Sequence, residues 1–226
     1  MEIFEGFSFD IKSIPEQADV LTHELIGSMG SDEGMGAVVA DAKKRFLKPN
    51  ALFIPLSCKT VIAPVIWENK TSFFYYIFRI LRFLKKPWNP FRNDYHLIKN
   101  IFMVWNLPEK NLIHPPLDYE VINFSENYLL EESKDIAFKI NNKTKFNGFY
   151  IWSIITVDKD NIINCFNGTT WPAIYIQISK EGIELFPGDE IIFKSYRNII
   201  KNPFYNSEVF IIRDNKKIEF GEFQFG

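Results

Sequence analysis

One stretch, residues 18–55, changes its hydrophobic period twice and so fixes the order of the elements around it. Residues 18–22 are a short apolar run that predicts a buried strand, and a loop containing Gly27 and Gly30 follows it. From Gly34 onward, apolar residues recur at helical spacing and basic residues close the segment, as a helix dipole favours. Pro49 and Asn50 predict the end of that helix, and residues 51–55 predict the next strand.

Two carboxylates, Glu24 and Glu33, bracket the loop and stand nine positions apart. Two carboxylates on one loop can hold a guanidinium, which is planar, permanently charged and carries its donors in a fork. Binding in this way would aim one guanidinium nitrogen at an electrophilic carbon and leave electron density on that nitrogen. The alternative is that both glutamates are solvated loop residues and that Glu33 serves only the helix dipole.

The element order, the spacing of Glu24 and Glu33, and the turn and strand at residues 47–55 resemble the protein arginine methyltransferase family. The resemblance implies that residues 24–33 are the family's double-Glu loop. It implies that Glu24 and Glu33 are catalytic and bind the substrate arginine, within a protein or peptide. It also implies that the methyl donor is S-adenosylmethionine.

The resemblance assigns three further residues to the cofactor. By position, Ser8 and Phe9 would line the adenine pocket of S-adenosylmethionine, and Met35 would pack beside the sulfonium. Met35 can equally be a core residue on the helix face. The family's glycine-rich cofactor loop and ribose-binding acid belong before this chain's first residue. We therefore expect the chain to start midway through a cofactor domain, with a separate cofactor-binding half as a candidate partner.

Residues 72–86 are apolar nearly all round when read as a helix, with basic residues gathered towards the end. The family inserts a helical dimerisation arm at this place, so residues 68–111 predict an arm and a homodimer. An apolar helix must be covered, and two other ways to cover it stay open. One is packing within the chain, and the other is interfacial membrane binding through the basic aromatic face.

Beyond Pro116 the sequence predicts seven strands separated by turns, without intervening helices, which is typical of a sandwich or barrel. Thr170 and Trp171 stand where the family has a Thr-His-Trp loop against the double-Glu loop. The resemblance implies that both contribute to substrate binding. The family's central histidine is Thr170 here, which bears on proton handling. Trp171 as a barrel core residue is the alternative.

Composition excludes several classes of protein. A net charge of -2 gives no general attraction to nucleic acid or to anionic membranes. Cys58 and Cys165 lie far apart without metal-ligand spacing, so we predict no disulfide scaffold, no metal site and a reducing, cytoplasmic location. The residues that open the chain do not read as a signal peptide.

The predicted fold class is α+β. A C-terminal remnant of a Rossmann-like methyltransferase domain occupies residues 1–57, and a β-barrel substrate domain with the helical arm occupies residues 58–226. Three functions stay open. The first is an arginine N-methyltransferase that is inactive as this chain alone. The second is a non-catalytic relative that binds arginine-containing peptides or a catalytic partner, and the third is an unrelated β-barrel binding module.

Overall fold

The computed structural model describes residues 3–67, 100–105, 108–200 and 203–225. It contains one α-helix, α1 (Met35–Arg45), and two short 3-10 turns, Ser8–Asp10 and Glu109–Asn111, within those ranges. The strands are β1 (Ala18–Thr22), β2 (Leu47–Ile54), β3 (Ser57–Val65), β4 (Ile101–Val104), β5 (Leu117–Asn123), β6 (Glu131–Lys139), β7 (Thr144–Phe146), β8 (Gly148–Thr156), β9 (Ile162–Asn164), β10 (Ala173–Gln177), β11 (Ile183–Leu185), β12 (Glu190–Asn198), β13 (Phe204–Arg213) and β14 (Lys216–Phe225).

The N-terminal unit follows the expected order of strand, loop, helix and strand. Met35, Val39 and Ala42 recur at helical spacing and are buried, which explains why α1 forms and which face it packs. Strands β1 and β2 pair in parallel. A parallel pair needs a crossover connection, and the loop with α1 supplies it.

Strand β2 begins earlier than the sequence predicts, because it includes Pro49 and Asn50. The register explains the difference. Ala18 pairs with Leu47 whereas Val20 pairs with Leu52, so the extra residues of β2 bulge out of the ladder. Both Pro49 and Asn50 are exposed there, and proline is tolerated at a bulge because its missing donor is not needed.

Two larger sheets make up the remainder of the described chain. The first has the order β4-β10-β8-β3-β5, with β9 added to β8, and the second has the order β14-β13-β12-β6. Strands β7 and β11 form a separate pair. All seven strands predicted beyond Pro116 are present, whereas the three-residue strands β7, β9 and β11 were not predicted.

The two large sheets share one hydrophobic core. Phe149 of the first sheet and Phe193 of the second have ring centroids 5.0 Å apart in an edge-on arrangement. Among the described residues, backbone pairing does not join the sheets into a closed ring. A side chain crosses one gap, where Lys134 Nζ of β6 donates to the Asp118 carbonyl of β5 at 2.7 Å. The fold is thus sheet-rich and mixed α/β, and the closed barrel stays a prediction.

The predicted helix at residues 72–86 lies outside the described residues. At the end of the predicted arm, residues 101–104 form β4 and pair with β10, so this part belongs to the first sheet. In the described ranges, none of the helices has the length and apolar character that crossing a bilayer requires.

Candidate functional site

The loop between β1 and α1 folds back on itself. The Gly27 amide donates to the Gly30 carbonyl at 3.2 Å, and the two residues form an antiparallel bridge. Glu24 and Glu33 lie on the two arms of this hairpin, each three residues outside the bridge. Both side chains are exposed, and neither carboxylate has a hydrogen bond or ion pair to another described residue. This arrangement leaves both groups available to a cationic guest.

Asp32 is a third carboxylate of the loop, and the sequence analysis did not single it out. Its Oδ2 accepts from the Met29 amide at 3.3 Å. Its Oδ1 is buried without a hydrogen-bond partner among the described residues. Burial raises the pKa of Asp32 to about 6, and the nearby charge of Glu33 adds to this while the Met29 amide opposes it.

The Asp32 carboxyl explains why residue 27 is a glycine. A Cβ atom at Gly27 would lie 1.4 Å from Asp32 Oδ1. Any side chain there would therefore displace the Asp32 carboxyl. The sequence does not reveal this contact between residues 27 and 32, because the contact is set by how tightly the loop turns.

The loop that contains Trp171 contacts the hairpin directly. Trp171 Nε1 donates to the Ile26 carbonyl at 3.0 Å, and the ring packs against the hydrophobic core. The backbone of Thr170 is held in turn, because Trp105 Nε1 donates to its carbonyl at 3.2 Å. The structure thus brings Trp171 against the segment between Glu24 and Glu33.

His23 precedes Glu24 and packs against an aromatic neighbour. Its ring lies edge-on to Phe124 with centroids 4.7 Å apart, and both ring nitrogens are buried without a hydrogen bond to the described residues. Burial lowers the pKa of His23, so the imidazole is neutral. It packs as an aromatic side chain at the base of the loop.

Comparison with solved structures relates this geometry to known proteins. The chain aligns over 99% of its length with 74% of protein arginine methyltransferase 10 of Arabidopsis thaliana, with a TM-score of 0.69 and 19% identity. It aligns over 98% of its length with 75% of the Trypanosoma brucei PRMT1 enzyme–prozyme heterotetrameric complex with AdoHcy, with a TM-score of 0.63 and 13% identity. At these identities the alignments show a shared fold.

Sequence comparison finds the same family over a shorter stretch. Two rice proteins, protein arginine N-methyltransferase 5 of Oryza sativa subsp. indica and of subsp. japonica, are each 43% identical to the chain over 51 residues. The resemblance to the protein arginine methyltransferases is confirmed. The matched stretch spans 23% of this chain and only 8% of each rice protein. No family model matches the chain.

The protein arginine methyltransferase resemblance assigned Ser8, Phe9 and Met35 to the cofactor, and this assignment stays a prediction. Met35 is fully buried in the hydrophobic core. Ser8 and Phe9 lie in the first 3-10 turn, where Arg45 Nη2 donates to the Ser8 carbonyl at 2.9 Å and Phe9 is exposed. The described residues contain no cluster of side chains suited to a metal ion.

Proposed function

We propose that this chain is the C-terminal part of an S-adenosylmethionine-dependent protein arginine N-methyltransferase, with Glu24 and Glu33 as the residues that hold the substrate guanidinium. The observation that carries the proposal is the hairpin between β1 and α1. It presents two free carboxylates on its two arms and is held by Trp171 on a fold shared with this family.

The chemistry follows from the nature of the guest. A guanidinium presents its N–H groups in a plane, so two carboxylates can bind it through charge-assisted hydrogen bonds and fix that plane. Methyl transfer needs one nitrogen aligned with the methyl carbon, and correct alignment contributes much of the rate. The carboxylates also stabilise positive charge on the nitrogens that do not react. Glu24 and Glu33 would bind and orient the arginine, with Thr170 and Trp171 beside them.

The exposed face of the β1–β2 pair supports a partner for the N-terminal unit. Val20 and Leu52, which are cross-strand neighbours, are 43% and 63% exposed, and Ile54 is 45% exposed. Parallel sheets are normally covered on both faces, so an apolar face on a two-stranded parallel pair calls for a cover. We assign this face to the cofactor-binding half of a Rossmann-like domain, carried by another segment or another chain.

Assembly with a second chain has a precedent among the structural neighbours. The Trypanosoma brucei protein is a heterotetramer of enzyme and prozyme. We propose that this chain likewise functions in an oligomer, through a homodimer made by the 68–111 arm and through the cofactor-binding half. The two facing sheets would then form the substrate barrel of that assembly.

A second candidate function is favoured by one residue. Thr170 occupies the position of the family's histidine, and the neutral, unpaired His23 does not replace it. A non-catalytic relative would keep the carboxylate hairpin and use it to bind arginine-containing peptides or a catalytic partner. The two candidates differ in their need for the methyl donor.

Differential scanning fluorimetry with S-adenosylmethionine and its demethylated product tests the cofactor assignment. We expect no thermal shift of this chain alone, because the proposal assigns the methyl donor to the cofactor-binding half, and a clear shift would contradict that. Radiolabelled methyl transfer to an arginine-rich peptide then separates the candidates when the cofactor-binding half is supplied. Transfer that is abolished by Glu24→Gln supports the enzyme, and binding without transfer supports the relative.

A further inference from the structure

Three polar side chains form one row across the first sheet. Glu120 of β5 pairs in register with Thr60 of β3, and Thr60 pairs with Ser153 of β8. All three are buried, at 2%, 0% and 1% exposure. Thr60 Oγ1 donates to Glu120 Oε2 at 3.3 Å. Burying a row of polar side chains costs free energy unless hydrogen-bond partners satisfy them.

A second row lies across the other sheet and meets the first. Arg197 of β12 pairs in register with Glu132 of β6 on one side and with Tyr205 of β13 on the other. Arg197 Nη2 lies 2.9 Å from Glu132 Oε2, and Arg197 Nη1 lies 3.0 Å from Glu120 Oε1, so the guanidinium joins the two sheets. Only 4% of the Arg197 side chain is exposed.

The tip of the carboxylate hairpin inserts between these rows. Ser31 is fully buried, and its hydroxyl donates to Glu120 Oε1 at 2.6 Å and lies 2.7 Å from the Tyr205 hydroxyl. The Gly30 amide donates to Ser153 Oγ at 3.0 Å. Each row therefore holds the hairpin by one short bond or more.

The fit at the tip is close. Gly30 has a φ of +41°, and a Cβ atom there would lie 2.7 Å from Thr60 Oγ1 and 2.9 Å from Glu120 Oε2. The backbone thus approaches the first row as near as a residue without a side chain permits. Glu33 follows this fixed tip by three residues along the chain.

A buried ion pair contributes little net stability, because desolvation offsets the attraction. The hydrogen bonds that Ser31 and Thr60 donate to Glu120 are directional, and they fix the position of the groups that they join. Burial raises the pKa of Glu120, while Arg197 and the hydroxyls of Ser31 and Thr60 act in the opposite direction. The two rows thus hold the Glu120 carboxyl in place for the Ser31 hydroxyl to bind.

We propose that Ser31, Glu120 and Arg197 are positioning residues that set the geometry of the hairpin bearing Glu24 and Glu33. Their consequence for arginine binding rests on the proposed function, whereas their hold on the hairpin does not. The three residues contact no substrate in this proposal. They act through the backbone at Gly30 and Ser31.

Hydrogen–deuterium exchange of the full chain tests the hold on the hairpin directly. Ser31→Ala removes the hydroxyl at the hairpin tip, and Glu120→Gln replaces the carboxyl that this hydroxyl binds. We expect amides in residues 24–34 to exchange at least about tenfold faster in both variants, while strands β12 and β13 exchange as in the wild type. Ser28→Ala is the matched control, because its hydroxyl has no hydrogen-bond partner in the described part of the chain, and it should change nothing.

An unchanged hairpin, or acceleration spread equally over the whole chain, would overturn the proposal. The second measurement is the ratio of affinities for an arginine peptide and its citrulline counterpart. We expect that ratio to fall about fivefold or more in Ser31→Ala, a change that uniform destabilisation does not produce. If the wild type shows no such preference, the proposed function fails, and the exchange result still decides whether these residues position the hairpin.

Discussion

At the scale of single residues, Asp32 is the least expected member of the site. An acid whose folded-state pKa is raised to about 6 keeps its proton while the unfolded chain has already lost it. Its contribution to the free energy of unfolding is complete below the unfolded pKa near 4 and is lost as the pH rises towards about 6. At neutral pH the buried, ionised carboxylate of Asp32 therefore destabilises the folded hairpin.

Asp32→Asn removes this titration while keeping the shape of the side chain. We expect Asp32→Asn to have a higher free energy of unfolding than the wild type. This advantage should be about 1–3 kcal/mol larger at about pH 7.5 than at about pH 4, measured by urea denaturation. Glu126→Gln, at an exposed carboxylate, is the control and should show no such dependence. A gain of equal size at both pH values would contradict the buried, protonated state of Asp32.

Two glycines of the same loop separate backbone strain from steric fit. Gly30 and Gly34 both have positive φ, at +41° and +79°, but an added Cβ meets close neighbours only at Gly30. We expect Gly34→Ala to cost about 1 kcal/mol from strain alone, and Gly30→Ala to cost roughly 2 kcal/mol more because the polar row must move. Equal costs in thermal unfolding would mean that the tip is not fitted between the sheets.

The residues of the site differ in how far the sequence could reveal them. The placement of Glu24 and Glu33 on one loop was predictable because that loop is local, with recognisable strand, glycine and helix signals on each side. Asp32 was missed because its burial depends on how the loop closes over Gly27. The two polar rows were missed because they depend on the register of strands that are distant in sequence, which no local pattern encodes.

At the scale of elements, β2 combines a buried and an exposed face in neighbouring residues. Phe53 is 4% exposed and Leu52 is 63% exposed. We expect Phe53→Ala to cost about 3–5 kcal/mol in unfolding free energy, whereas Leu52→Ala should change it by less than about 0.5 kcal/mol. A large loss of stability in Leu52→Ala would show that its face is already covered in this chain.

Periodicity predicted α1 and the long strands, because their apolar residues face one core. It placed the start of β2 too late, since a bulge carries Pro49 and Asn50 through the strand. The three-residue strands β7, β9 and β11 are too short for alternation to be read. The order of strands within each sheet was beyond the sequence, because it is decided by packing across the core.

At the scale of the whole molecule, the two sheets provide a frame that holds the hairpin. The hairpin tip is tied to both sheets, while its two arms carry the exposed Glu24 and Glu33. The apolar residues Val20, Leu52 and Ile54 on the β1–β2 pair stay exposed. Under the proposed function, this face is where the cofactor-binding half would pack.

The most direct measurement is the affinity of the chain for an arginine-containing peptide, set against the same peptide with citrulline, by isothermal titration calorimetry. We predict that the arginine peptide binds more tightly, and that Glu24→Gln and Glu33→Gln each weaken it by about tenfold or more while Glu126→Gln does not. Equal binding of the two peptides, or full affinity in both hairpin variants, would contradict the account.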